Sequence, residues 1–221
     1  MDHGLCLWDA GVCFLRFLEH NPKVASRFRG ATVLELGAGT GLLGTVLAHC
    51  LQCCVVLTDL PAVVPNLHAN VAANPLPRGA RGTLSVLPYA WCGEADPAVL
   101  AACNDAFDFI VGTDVAYSEA LNDVLLRSAA AFARASKRRS AVFFCNELRC
   151  AVAQAVFDAC APPLFRLKRV KQKQLHPDWR EHNQLLVELS LRVGGGGGGG
   201  GGGAEEGGEG EGEEGGGLNT I

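Results

Sequence analysis

No apolar run in this 221-residue sequence approaches the ~20 residues that an α-helix needs to cross a bilayer. A helical membrane span is excluded on length alone. The first residues, MDHGLCLWDAG, hold neither a basic stretch nor an apolar core, so no secretory signal is expected. Paired cysteine motifs are also missing. The one CxxC, Cys50 to Cys53, has no second pair at a matching distance. A structural zinc usually needs four ligands, so no metal is expected. Cys6, Cys13, Cys50, Cys54 and Cys145 lie in apolar runs, where a free thiol behaves as a small hydrophobe. Reduced cysteines without an export signal point to the cytoplasm, with the nucleus also open to the protein. Neither an internal repeat nor an RNA-binding module is visible.

Large apolar side chains vanish towards the C-terminus. Ten glycines run from Gly194 to Gly203, followed up to Gly217 by glycine mixed with six glutamates. Such a segment buries too little to offset the entropy of ordering. Residues 194–221 are therefore expected to form a disordered tail, and 1–193 a single domain. The tail's glutamates carry six negative charges, so the net −4 of the whole chain leaves +2 for the remainder. The acidic balance belongs to the tail.

What is present alternates. Strand-like runs fall at 32–37, 54–59, 82–88, 107–113, 140–146, 164–170 and 183–192, and helical stretches at 40–52, 61–73, 119–136 and 148–160. The early strands are nearly continuously apolar, as in parallel sheets with both faces covered. The pattern predicts an α/β protein with a Rossmann-like, doubly wound, seven-stranded sheet. Between the last two strands only QKQLHPDWREH intervenes, so those two are expected to pair antiparallel at one edge.

The stretch VLELGAGTGLLG, residues 33–44, carries the first chemical signal. Gly37, Gly39 and Gly41 follow a strand directly, and glycine there allows a tight turn and close approach of a ligand. Asp59 ends the next strand, 20 residues after Gly39. A carboxylate at that point can accept hydrogen bonds from both hydroxyls of a ribose; a helix cap before Pro61 is the other reading, and the two are compatible. Glu35 stands two residues before Gly37, on the ligand side of the strand end. A dinucleotide would bring a pyrophosphate that this carboxylate repels. S-adenosylmethionine brings a sulfonium and an ammonium instead, and is favoured over NAD.

Further segments stand in a fixed order: LWDAG at 7–11, the asparagines at 70 and 74, YAWC at 89–92 and FDFIVGTDVAY at 107–117. Together with ELGAGTG and LTDLP, they make residues 5–192 resemble the seven-β-strand protein-lysine methyltransferases of the methyltransferase-like twenty-one family. The resemblance implies a class I methyltransferase fold with S-adenosylmethionine as cofactor. It puts Trp8 near the cofactor, Gly37, Ala38 and Gly39 at its methionine end, and Asp59 on its ribose. Trp91 would flank the adenine, and Thr113 would contact the cofactor through its backbone. Taken singly, the two tryptophans read equally well as core aromatics. Asp114 and Tyr117 match the family's Asp-x-x-Tyr element and are the catalytic candidates, at the mouth where the lysine enters.

The element Asp114-Val115-Ala116-Tyr117 lacks the paired prolines usual in enzymes that methylate amide or base nitrogens, which favours an amine. By resemblance the substrate is a protein of the chaperone or translation-factor type, and the enzyme a monomer. Family members usually carry some tens of residues before the tryptophan, so a shortened N-terminus is expected, and Cys92 stands where glycine is usual. Two rival readings remain open: a methyltransferase for a small molecule or another nucleophile, and a binding protein that keeps the fold without catalysis. The basic stripe Arg166, Lys168, Arg169, Lys171 and Lys173 reads as a protected edge strand rather than a nucleic-acid surface. His176, Trp179 and His182 are expected in a loop near the substrate mouth.

Overall fold

The computed structural model describes residues 6–192, so the expected tail lies outside the described residues. The seven strands are β1 (Thr32–Leu36), β2 (Cys54–Asp59), β3 (Thr83–Pro88), β4 (Phe109–Thr113), β5 (Ala141–Glu147), β6 (Phe165–Arg169) and β7 (Gln184–Leu191). They form one sheet in the order β3-β2-β1-β4-β5-β7-β6. β1 to β5 are parallel. β7 runs antiparallel to both β5 and β6. The expected antiparallel pair is thus present, with β7 inserted inside the sheet and β6 on the edge. Lys168 and Arg169 of that edge strand are paired with Glu188 at 3.3 Å and Asp158 at 2.6 Å.

Adjacent residues of each inner strand serve opposite cores. Phe143 faces one apolar cluster and Phe144 the other, as do Val55 and Val56. That is why these strands read as unbroken apolar runs. On the first face, Phe28 is fully buried and stacks on Phe109 with ring centroids 3.9 Å apart. Burying one such ring contributes about 1.5–3 kcal/mol. The second face is covered by α6 (Glu119–Ala135) and α7 (Ala151–Leu164), with Phe132 and Phe157 as its large side chains.

The expected helices begin at residue 40, and the structure forms two before that. In α1 (Asp9–His20), Ala10, Cys13, Phe14, Phe17 and Leu18 are buried, a spacing of three and four that makes one apolar stripe. α2 (Pro22–Phe28) starts on a proline, whose missing amide costs nothing in a first helical turn. α3 (Leu42–Leu51) and α4 (Val64–Ala73) fall where expected, and a short α5 (Pro97–Ala101) is capped by Asp96, which accepts the amides of Ala98 and Val99. α7 continues through Pro162 and Pro163 to Leu164 instead of stopping near 160.

All ten cysteines are free. Cys13 and Cys145 are buried as expected, but Cys6 and Cys50 are exposed and Cys54 is only part-buried, because their positions face away from both clusters. Buried Cys53 instead donates to the carbonyl of Phe28 at 2.9 Å. Among the described residues no helix is long and apolar enough to cross a membrane.

Candidate functional site

Strand order reverses between β1 and β4, whose connections leave in opposite directions. The crevice at the carboxyl ends of such a pair is the usual ligand position in an open α/β sheet. Here it holds a cavity of about 810 Å³, and all ten residues expected to be catalytic or to bind the cofactor line it.

On one side lies the glycine turn. Gly37, Gly39 and Gly41 all have left-handed φ, at +68°, +55° and +79°. A Cβ on Gly37 would also stand 2.8 Å from Val115 and 3.1 Å from the Trp91 ring, so glycine is required there twice over. The turn is tied to β2 by the amide of Ala38, which donates to the carbonyl of Thr58 at 2.9 Å. The amide of Gly39 donates to Asp59 Oδ2 at 2.7 Å, and that of Leu60 to Asp59 Oδ1 at 2.7 Å. Asn70 reaches back from α4 to the carbonyl of Thr40 at 3.1 Å. Asp59 is not the cap of α4, which is preceded by Val63. Burial pushes the Asp59 carboxyl above its ordinary range, and the amides of Gly39 and Leu60 oppose that rise.

Glu35 also lines the cavity but is only 1% exposed. Its Oε2 accepts the amide of Gly44 at 2.8 Å. Burial pushes its carboxyl up to about 8, against the pull of the Gly44 amide and with a further push from Asp59. Burial thus favours the protonated form of Glu35 and works against the charge expected next to the turn. The physical reason is depth: the side chain lies between β1 and α3, where Gly44 leaves room for it. Gly44 was not among the sequence candidates, although its place three residues beyond Gly41 suits a glycine that lets helix and strand close up.

On the other side, the segment after β4 is strapped to the end of β5. Asp114 has φ +53° and donates its amide to the carbonyl of Cys145 at 2.8 Å. Its side chain is 4% exposed; Oδ1 accepts the amide of Glu147 at 2.8 Å, and Oδ2 lies 3.3 Å from Arg149 Nη2. Buried Asn146 accepts the amides of Val115 and Ala116 at 3.0 Å each. Asp114 is thus committed to its neighbours on two sides, with carboxylate lone pairs left over. Tyr117 is half exposed at the rim, and Thr113 ends β4 beside Gly11. Trp8, just before α1, forms a wall with the Arg149 guanidinium 4.6 Å from its ring centroid. Neither Asn146 nor Arg149 carried a sequence signal, since the site residues they hold, Val115 and Ala116 for Asn146 and Trp8 and Asp114 for Arg149, are some thirty or more residues away.

His176, Trp179 and His182 are not part of the lining. They sit beside the C-terminal end of α1, where the His176 ring is 5.6 Å from that of His20, because β7 inserts next to β5 and carries its preceding loop to that side. Among the described residues no three His, Cys, Asp or Glu side chains gather into a group that could hold a metal ion.

Comparison with known proteins decides the family. Residues 1–163 match the family model described as lysine methyltransferase. The chain belongs to that family. It is 36% identical over 122 residues to protein N-lysine methyltransferase METTL21A of Danio rerio, covering 55% of this chain and 52% of that protein. It is 32% identical over 120 residues to EEF1A lysine methyltransferase 3 of Mus musculus, covering 54% and 47%. The chain thus spans about half the length of the curated relatives it matches. In fold it is similar to a methyltransferase from Pyrococcus furiosus, with TM-score 0.54, 13% identity and 82% of each chain covered. A predicted O-methyltransferase from Agrobacterium tumefaciens gives TM-score 0.52 at 17% identity, covering 76% and 80%. The fold is that of class I methyltransferases, whose methyl donor is S-adenosylmethionine. The residues present fit this donor: a turn whose first position, Gly37, has no room for a side chain, a carboxylate at the end of β2, and an indole wall over the turn, in a volume within the range of small-molecule sites.

Proposed function

We propose that the protein is an S-adenosylmethionine-dependent protein-lysine N-methyltransferase. One observation carries the reading: a single cavity joins the glycine turn and Asp59 to the proline-free Asp114–Tyr117 element. Asp59 would hold the ribose hydroxyls, Gly37, Ala38 and Gly39 the methionine end, Trp91 the adenine, and Trp8, Glu35 and the Thr113 backbone the remaining walls.

When bound, S-adenosylmethionine supplies an electrophilic methyl carbon on a sulfonium. The protein's part is positioning of a neutral lysine amine in line with that carbon. Asp114 and Tyr117 would orient the amine and favour the positive charge that develops on nitrogen. An apolar approach lowers a lysine's pKa and helps it arrive uncharged. The proton lost beforehand goes to solvent or to a nearby carboxylate.

Leu7, Leu60, Tyr117 and Leu121 line the cavity and are exposed. Exposed apolar side chains at the rim of a cavity are compatible with contact to a protein substrate. Relatives named for EEF1A and calmodulin support the same class, and the substrate proposed is a chaperone or translation factor. A monomer goes with it by family resemblance, and a place in the cytoplasm or nucleus is supported by ten free thiols.

The test is to incubate the purified chain with a cell lysate and S-adenosylmethionine carrying a labelled methyl group. Label on the lysine ε-amine of one or a few proteins is the expected result. Label confined to small molecules would favour the rival substrate class, and no label despite donor binding would favour the non-catalytic one.

A further inference from the structure

The geometry points to Arg149 as a positioning residue that fastens the donor side of the cavity to its substrate side, acting through Trp8 and Asp114. This inference rests on the reading given under Proposed function. Arg149 lies two residues beyond the end of β5, and two residues distant in sequence, Trp8 and Asp114, meet on its guanidinium together with the neighbouring Glu147. The Trp8 ring lies 4.6 Å from its Cζ, Asp114 Oδ2 3.3 Å from its Nη2, and Glu147 Oε2 forms a second ion pair with the same nitrogen. The backbone beneath is fixed, since Leu148 donates to the carbonyl of Asn183 at 2.7 Å and Arg149 to that of Glu147 at 2.9 Å.

Arg149 also compensates a buried charge: its own side chain is 40% exposed, but that of Asp114 is only 4% exposed. Of its three partners, Trp8 and Asp114 also line the cavity. Trp8 belongs to the wall assigned to the donor, and Asp114 to the element assigned to the lysine. A planar guanidinium can lie flat on an indole while it pairs with carboxylates at its edge, a geometry that the compact ammonium of lysine lacks. Arg149 therefore holds the indole and the Asp114 carboxylate at a fixed separation, so that filling one half of the site is felt in the other.

The experiment is a pair of double-mutant cycles on the full chain, with S-adenosylhomocysteine as the binding probe. Arg149→Ala should weaken that probe about two- to fivefold, the size of a partly exposed cation–π contact. The loss should disappear in a Trp8→Ala background. Arg149→Lys should recover turnover, since it can still pair with Asp114, but not probe affinity. In an Asp114→Ala background, Arg149→Ala should have no further effect on kcat. Equal effects of Arg149→Ala in wild-type and Trp8→Ala backgrounds, or no effect in either, would overturn the inference. A wild-type chain that binds the probe but methylates nothing overturns the proposed activity and leaves the binding cycle readable. If the probe does not bind at all, the donor site itself is wrong. The coupling is then read from the melting temperatures of the same variants, where additive shifts would overturn it.

Discussion

Asp59 accepts the amide of Gly39 at 2.7 Å across two adjacent strands, so the residue assigned to the ribose also shapes the turn assigned to the methionine end. The other oxygen of the same carboxylate is bonded to Leu60. Both halves of the donor site therefore depend on one side chain.

Replacing Asp59 by Ala should weaken S-adenosylhomocysteine by a charge-assisted hydrogen bond, about 1.5–3 kcal/mol, or some ten- to hundredfold. Asp59→Asn keeps an acceptor for Gly39 and should lose less. Equilibrium dialysis with labelled ligand measures both, and unchanged affinity in Asp59→Ala would remove the ribose assignment.

Glu35 makes stability depend on pH with a definite sign. An ordinary glutamate releases its proton near 4.5, whereas burial holds that of Glu35 up to about 8. Between these values the folded chain binds a proton that the unfolded chain has lost, so Glu35 lowers stability as pH rises through that window and adds no further change above it. Glu35→Gln should flatten the slope: its melting temperature should change less than wild type between about pH 5 and about pH 8. Identical slopes would show that Glu35 ionises normally.

Gly44 is required by space. A Cβ there would come within 2.6 Å of Glu35 Oε2 and 2.9 Å of Val55. Gly44→Ala should cost about 1–3 kcal/mol through overpacking, visible as a lower midpoint in urea unfolding. An unchanged midpoint would mean that α3 shifts freely on the sheet.

Asn146 accepts two amides of the segment carrying Asp114 and Tyr117. Asn146→Ala leaves those donors without their acceptor, at a cost of about 1–3 kcal/mol. Methyl transfer should fall more than S-adenosylhomocysteine binding, because the substrate side loosens while the glycine turn keeps its own bonds. Equal losses in both would place Asn146 with the general scaffold.

Strands and glycine turn were legible because their signals are local. Apolar residues at successive positions mark a strand buried on both faces, and Phe143 and Phe144 do divide between the two cores. α1 carries an equally local signal in its stripe from Ala10 to Leu18, which begins inside the LWDAG motif. Other features are tertiary. The grip of Asn146 on Val115 spans 31 residues. Arg149 acquires its role only when Trp8 and Asp114 fold against it. The protonation of Glu35 depends on depth beneath α3, which spacing in sequence does not carry.

The most direct measurement is a calorimetric titration of the purified chain with S-adenosylhomocysteine, with NADH as control. The account predicts saturable binding of the former in the micromolar range and none of the latter. No heat with S-adenosylhomocysteine, or equal binding of NADH, would contradict the assignment of this cavity to a methyl donor.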